Sequence, residues 1–194
     1  MDLSRIKYEV RESLTGRFGA LALYTLVYFI IHGALAYAST FLVIGPFIVN
    51  TLLAFGYILG ILKLLTTREN DFGILFKLFT NFNQALNLLI AKFLYGFFII
   101  LGIMLFILPG IYFLLSSKLL MYVFLDNPEI NAIDAIRETF RLADGNRLKL
   151  LLLDLLFIPE FLLIIITFGI YTIWFLPQYT LTLKRVYERL GELS

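Results

Sequence analysis

The amino-acid sequence predicts an all-α, polytopic membrane protein: six transmembrane helices arranged as three hairpins, each preceded by an amphipathic helix at the cytoplasmic interface. Three observations carry this expectation. Apolar residues make up 60% of the 194 residues and charged residues 15%, and the mean hydropathy is +0.89. A soluble domain of this size needs far more polar surface. Three apolar blocks are each long enough to cross a bilayer twice, at ~20 residues per crossing. Finally, charge returns only after every second apolar stretch, and positive charge marks the cytoplasmic side. Of the 16 basic residues, all but Lys92 and Lys118 fall in four bursts.

The first burst, with Arg5, Lys7, Arg11 and Arg17, contains an apolar stripe at helical spacing, Leu3, Ile6, Val10 and Leu14. The first apolar block follows from Phe18 to Leu65 and bends at the uncharged Gly45-Pro46. A second burst, Lys63, Arg68 and Lys77, surrounds the stripe Phe72, Leu75, Phe76, Phe79 and Phe82. The second block, Ala85 to Leu125, bends at Pro109-Gly110. Asp126-Asn127-Pro128 then reads as a turn and helix start, with proline near the first helical position. A third stripe, Ile130, Ile133, Ile136 and Phe140, accompanies Arg137, Arg141, Arg147 and Lys149, and Asp144-Gly145-Asn146 reads as its stop. The third block, Leu148 to Leu183, bends near Phe168-Gly169 and ends at Lys184, Arg185 and Arg189. Two readings of the stripes stand side by side: helices lying on the membrane interface, or helices packed on the protein's own helix ends.

The chain is expected to be one integral membrane domain over residues 1–194. Gly16, Asn81 and Gly145 stand at nearly equal spacing where a stripe ends and an apolar block begins. Repeats over 1–69, 70–128 and 129–194 explain that spacing, as does chance in a six-span chain. The first apolar run begins only near Phe18, so a cleaved signal peptide is not expected, and both termini are placed in the cytoplasm of a multi-pass protein of the cell membrane.

Ionisable residues within the apolar blocks are the candidate site residues, because an unpaired charge in hydrocarbon costs at least ~2.5 to 3.5 kcal/mol. Lys92, Lys118 and Asp154 all fall ~10 to 12 Å inside the cytoplasmic leaflet by helical rise. Asp154 is thus expected to pair with Lys92 or Lys118, leaving one cation for an anionic headgroup or substrate, unless both lysines snorkel to phosphates. Glu160, after Pro159, and His32 are the weaker candidates. Their similar depth suggests a hydrogen bond that relays protons, while a neutral Glu160 satisfied by backbone freed at Pro159 explains it without function.

Several functions are excluded or lack support. There is no cysteine and a single histidine, so thiol chemistry, disulfides and a two-histidine zinc motif are out. No GxSxG elbow is present, and Ser116 and Ser117 have no assigned base; helix packing is their expected role. Gly56 and Gly60 form a GxxxG that allows close helix approach. The basic bursts are short and mixed with acids, which fits anionic lipids rather than nucleic acid. No cofactor is expected, and the sequence leaves the oligomeric state open.

The second half of the chain carries, in order, Pro109-Gly110-Ile111, Ser116, Leu125-Asp126-Asn127-Pro128, Ala135-Ile136, Gly145-Asn146, Thr167-Phe168-Gly169-Ile170, Trp174, Pro177 and Tyr187. This order resembles a bacterial family of integral membrane proteins, domain of unknown function 975. That family is similar in turn to the membrane domain of some glycerophosphodiester phosphodiesterases. Leu14 to Phe18 and Phe72 to Phe82 are compatible with it. The resemblance implies six helices with cytoplasmic connecting helices and supplies no catalytic residues, whereas Pro159-Glu160 departs from its more apolar pattern. The expected function is a non-enzymatic accessory, scaffold or assembly partner, with membrane lipids and a membrane or cytoplasmic protein as partners. The alternative is a small transporter or lipid-handling protein with a polar intramembrane site.

Overall fold

The computed structural model describes residues 1–42, 44–67, 71–105 and 107–193, and among these every regular element is helical. In chain order the helices are α1 (Leu3–Ser13), α2 (Phe18–Ala38), α3 (Gly45–Thr67), α4 (Lys77–Thr80), α5 (Phe82–Leu105), α6 (Ile107–Ser117), α7 (Leu120–Asp126), α8 (Ala132–Ala143), α9 (Arg147–Leu156), α10 (Ile158–Ile166) and α11 (Thr172–Leu193). Short 3-10 turns cover Ser39–Phe41 and Phe72–Phe76. Four segments are long and apolar enough to cross a membrane: Phe18–Phe41, Gly45–Thr67, Phe82–Leu105 and Ile107–Asp126. Their large exposed apolar side chains, among them Ile30, Phe93, Ile100 and Ile107, would have no stable place in water. This is a membrane protein. The expected fifth span is divided into α9 and α10, and the sixth, α11, carries charge through its C-terminal half.

The helices form two compact units, one of Met1–Thr80 with Leu155–Leu183 and one of Asn81–Asp154 with Lys184–Ser194. In the first, Asp2 caps α1 by accepting the Arg5 N–H at 3.1 Å, one of the donors a helix start leaves without partners. Ile6, Val10 and Leu14 are buried, and Val10 and Leu14 share a core with Leu21, Tyr24, Tyr28, Leu53, Tyr57, Ile61 and Leu75. The α1 stripe therefore packs on the protein's own helices. Within this core Thr25 donates its hydroxyl to the Leu21 carbonyl at 2.8 Å. Its one proton is then spent, so the 2.9 Å contact with Tyr57 is donated by the tyrosine. The GxxxG of α3 serves the same unit: a Cβ at Gly56 would overlap the Leu75 backbone, and one at Gly60 the Tyr24 ring.

The second stripe is resolved differently from the expectation. Leu75 and Leu78 face inward, while Phe76, Phe79 and Phe82 are exposed, Phe82 by 74%. A 3-10 turn running into the four-residue α4 shifts the side-chain phase, so a single helical stripe does not hold. Arg68, part of the second basic burst, lies outside the described residues.

In the second unit, α5 and α6 pack closely on each other. A Cβ at Gly102 would stand 2.7 Å from the Gly110 nitrogen, so glycine at both positions lets the backbones meet. Pro109-Gly110 lies inside α6 rather than at a bend, and Phe106, before the start of α6, lies outside the described residues. Gly45-Pro46 likewise opens α3 rather than forming the bend, proline being well placed in a first turn. The third expected bend is at its place, with Phe168 and Gly169 both at positive φ, 51° and 89°.

Helix α8 begins four residues after Pro128, at Ala132, because Asn131 supplies the cap: its Oδ1 accepts the Asp134 N–H at 2.9 Å. Pro128 lies in the preceding turn. The buried face of α8 is Ala132, Ala135, Thr139, Leu142 and Ala143, whereas Ile133 is 63% exposed. Small residues win this face because they permit close approach, and Phe140 flanks it, stacked on Tyr95 at 5.7 Å. Along the exposed side Arg141 donates twice to Glu138 and holds that carboxyl below the usual carboxylate range. A depressed folded pKa adds stability above the unfolded value of ~4.3 that is lost as pH falls. Melting curves of wild type and Glu138→Gln should therefore differ by a few tenths of a kcal/mol at pH 7, the scale of an exposed pair, and converge once the pH has fallen below the lowered pKa of Glu138.

Candidate functional site

Lys7 projects from the flank of the buried α1 face, next to Ile6, and reaches the interruption between α9 and α10. Pro159 sits in the first turn of α10, and Phe157 separates the two helices. Proline has no N–H to continue the α9 ladder and its ring clashes with the turn before it. Lys7 Nζ donates to the Leu156 carbonyl at 2.8 Å, pairs with Glu160 Oε1 at 2.6 Å and lies 4.3 Å from the centre of the Phe157 ring. The ammonium thus meets the carbonyl end of α9, and Glu160 lies in the first turn of α10; both placements suit the helix dipoles. The lysine and glutamate side chains are 17% and 12% exposed. Glu160 Oε2 is buried without a hydrogen-bond partner among the described residues, and so is Gln178 Nε2. Phe157 itself is fully buried, edge-on to Phe175 at 5.7 Å and Tyr179 at 5.3 Å.

This arrangement corrects the expected Glu160–His32 contact. His32 Nε2 instead meets Asn50 Oδ1 at 3.2 Å on α3, and its ring lies 5.6 Å from Tyr28. Depth counted along a straight helix misplaces Glu160, because the helix is broken three residues earlier and α1 supplies the partner. Lys7 was not legible as a site residue: in the sequence it is one of several charges on an amphipathic segment.

In the second unit Lys118 pairs with Asp154, as the depth argument allows, with side chains 20% and 29% exposed. Here too the lysine stands at an interruption, the two residues between α6 and α7. Ser116 and Ser117 turn their hydroxyls onto the Tyr112 and Leu114 carbonyls at 3.0 and 2.7 Å. The Leu119 N–H reaches back only to Ser116 at 3.1 Å, a tightened turn of the kind serine pairs promote. Arg147, the first residue of α9, donates to Ser116 Oγ at 3.3 Å and to Asp144 at 2.8 Å, and its guanidinium lies 3.4 Å from the Tyr112 ring centre. Ser116 thus has a partner that sequence reasoning did not assign. Lys92, half-buried on α5, makes no hydrogen bond or ion pair with described residues. At the other end of α7, Lys184 pairs with Asp126 at 2.9 Å.

Chemically, the two interruptions hold carboxylate–ammonium pairs in largely apolar surroundings. Among the described residues no three histidine, aspartate or glutamate side chains converge as a metal site would require. A family described as "Protein of unknown function (DUF975)" matches residues 111–194. The matched stretch contains Ser116, Lys118, Arg147, Asp154 and Glu160, and begins after Lys7, His32 and Lys92. No curated protein and no solved structure matches the chain.

Proposed function

We propose that this chain is a non-enzymatic, lipid-handling protein of the cell membrane, with six crossings in three hairpins and both termini in the cytoplasm. One observation carries the reading: both carboxylates inside the expected fifth span are held by a lysine at a point where a helix is interrupted. Interrupted helices expose backbone ends and cluster charge at binding sites in membrane proteins, where continuous helices would bury nothing polar. Support for the threefold repeat comes from Gly16 and Gly145. Both adopt positive φ, 80° and 67°, directly between an amphipathic helix and the helix that follows.

The test is transbilayer movement of headgroup-labelled phospholipids in vesicles carrying the purified protein. Wild type is expected to accelerate exchange, and Asp154→Asn to slow it at least tenfold, which corresponds to about 1.4 kcal/mol in the barrier. Equal rates in vesicles with and without protein would overturn the reading. A second reading, a scaffold for another protein, is favoured by the exposed Phe76, Phe79 and Phe82. It is weakened by the burial of the α1 stripe and by the packing of Phe140 against Tyr95.

A further inference from the structure

Lys7 does more than its position on α1 requires. That helix is already held by Ile6, Val10 and Leu14, all buried, so an ammonium at the α9–α10 interruption is a separate feature with its own explanation. The three groups around it are a carboxylate, a backbone carbonyl and an aromatic ring face. Together they are the means by which proteins recognise an alkylammonium: charge, hydrogen-bond acceptance and cation–π attraction. We propose that the cleft formed by the Leu156 carbonyl, the Phe157 ring and the Glu160 carboxylate is a binding site for a primary ammonium group, which Lys7 closes from within as an intramolecular plug.

The tethered ammonium fills this cleft incompletely. A primary ammonium has three donors; Lys7 donates one to the Leu156 carbonyl and faces Glu160 Oε1 as an ion pair, while Glu160 Oε2 stays buried with no hydrogen-bond partner among the described residues. A ligand free of the α1 backbone can turn to engage both carboxylate oxygens and the carbonyl together. Displacing Lys7 needs only a change in its side-chain torsions, because the buried face of α1 stays where it is. Access from the membrane is also at hand. Leu155, Ile158, Phe161 and Leu162 beside the cleft are exposed apolar residues, the surface along which an aminophospholipid headgroup would approach. The chemistry is shared by such a headgroup and by a free alkylamine.

The inference rests on reading helix interruptions as binding elements, but it concerns equilibrium binding and not lipid movement; loss of one leaves the other standing. The full-length Lys7→Ala protein, in phosphatidylcholine nanodiscs, is to be melted with ethylammonium chloride and with sodium chloride at equal ionic strength. Ethylammonium at about ten times its dissociation constant is expected to raise the melting temperature of Lys7→Ala by ~3 °C or more. It should leave wild type and Lys7→Ala/Glu160→Gln unchanged. Exchanging phosphatidylcholine for phosphatidylethanolamine, with no added amine, identifies the source. Stabilisation of Lys7→Ala there assigns the site to a lipid headgroup, and stabilisation by ethylammonium alone assigns it to a free amine. If Lys7→Ala does not fold, Lys7→Gln, which also lacks the ammonium, carries the same comparison. Equal melting in ethylammonium and sodium, or an equal response in the Glu160→Gln double variant, overturns the proposal.

Discussion

Asp154→Ala is expected to destabilise the second unit by about 3 kcal/mol, the lower end of the range for breaking a buried pair, because Lys118 keeps some freedom to reach toward headgroups. The variant removes the carboxylate but leaves an ammonium at the α6–α7 interruption, where its side chain is 20% exposed. Lys118→Met alone leaves the shorter Asp154 carboxylate, which has less reach toward the headgroups, so it should cost at least as much. Lys118→Met/Asp154→Leu should recover most of the loss, since replacing a whole pair with apolar groups is often neutral. The double-mutant cycle, read by unfolding in mixed micelles, is expected to give a coupling of at least ~1 kcal/mol. Additive effects of the two substitutions would show that the ion pair contributes nothing of its own.

Gly56→Ala is the other substitution with a large expected effect, about 3 kcal/mol or more, at the upper end of what overpacking costs. Its new methyl would meet the Leu75 backbone in the 3-10 turn, and a backbone cannot rotate away as a side chain does. Gly60→Ala meets the Tyr24 ring, which can shift, and should cost less. Gly96→Ala, on the open surface of α5 with nothing near the added atom, is the control, expected to be neutral or slightly stabilising. The same melting measurement ranks the three. A Gly56→Ala protein as stable as wild type would place the close approach of α3 and this turn in doubt. A GxxxG that served pairing of two chains would instead change oligomeric state with little effect on melting.

How much was legible follows the range of the interactions. Hydropathy and helical spacing are local properties, and they located the apolar segments and the helices α1 and α8 within a few residues. Turn chemistry was readable where it depends on a single residue: Gly145 and Gly169 both hold the positive φ that glycine tolerates. It failed at Pro109-Gly110, because the decisive contact there is between Gly102 and Gly110, on different helices. At Asp126-Asn127-Pro128 the expected turn is present, but the helix start is misplaced, because Asn131 and not the proline begins α8. For the site, the depth argument left Lys92 or Lys118 as the partner of Asp154, and only the packing of the helices selects Lys118. The pairing of Glu160 was missed for a reason no periodicity contains: its partner stands on α1, more than 150 residues earlier.

By itself the sequence determined that the chain is helical and membrane-embedded, where its apolar segments lie, and that it lacks the residues for thiol or two-histidine metal chemistry. Those follow from composition and from side-chain periods of three to four residues, which act before any tertiary contact forms. Only the tertiary structure decided that the α1 stripe packs inward, that two interruptions divide the later apolar segments, and that Lys7 and Lys118 meet the two carboxylates at them. An ammonium in an apolar setting must find a partner, but which one it finds depends on where distant helices pack.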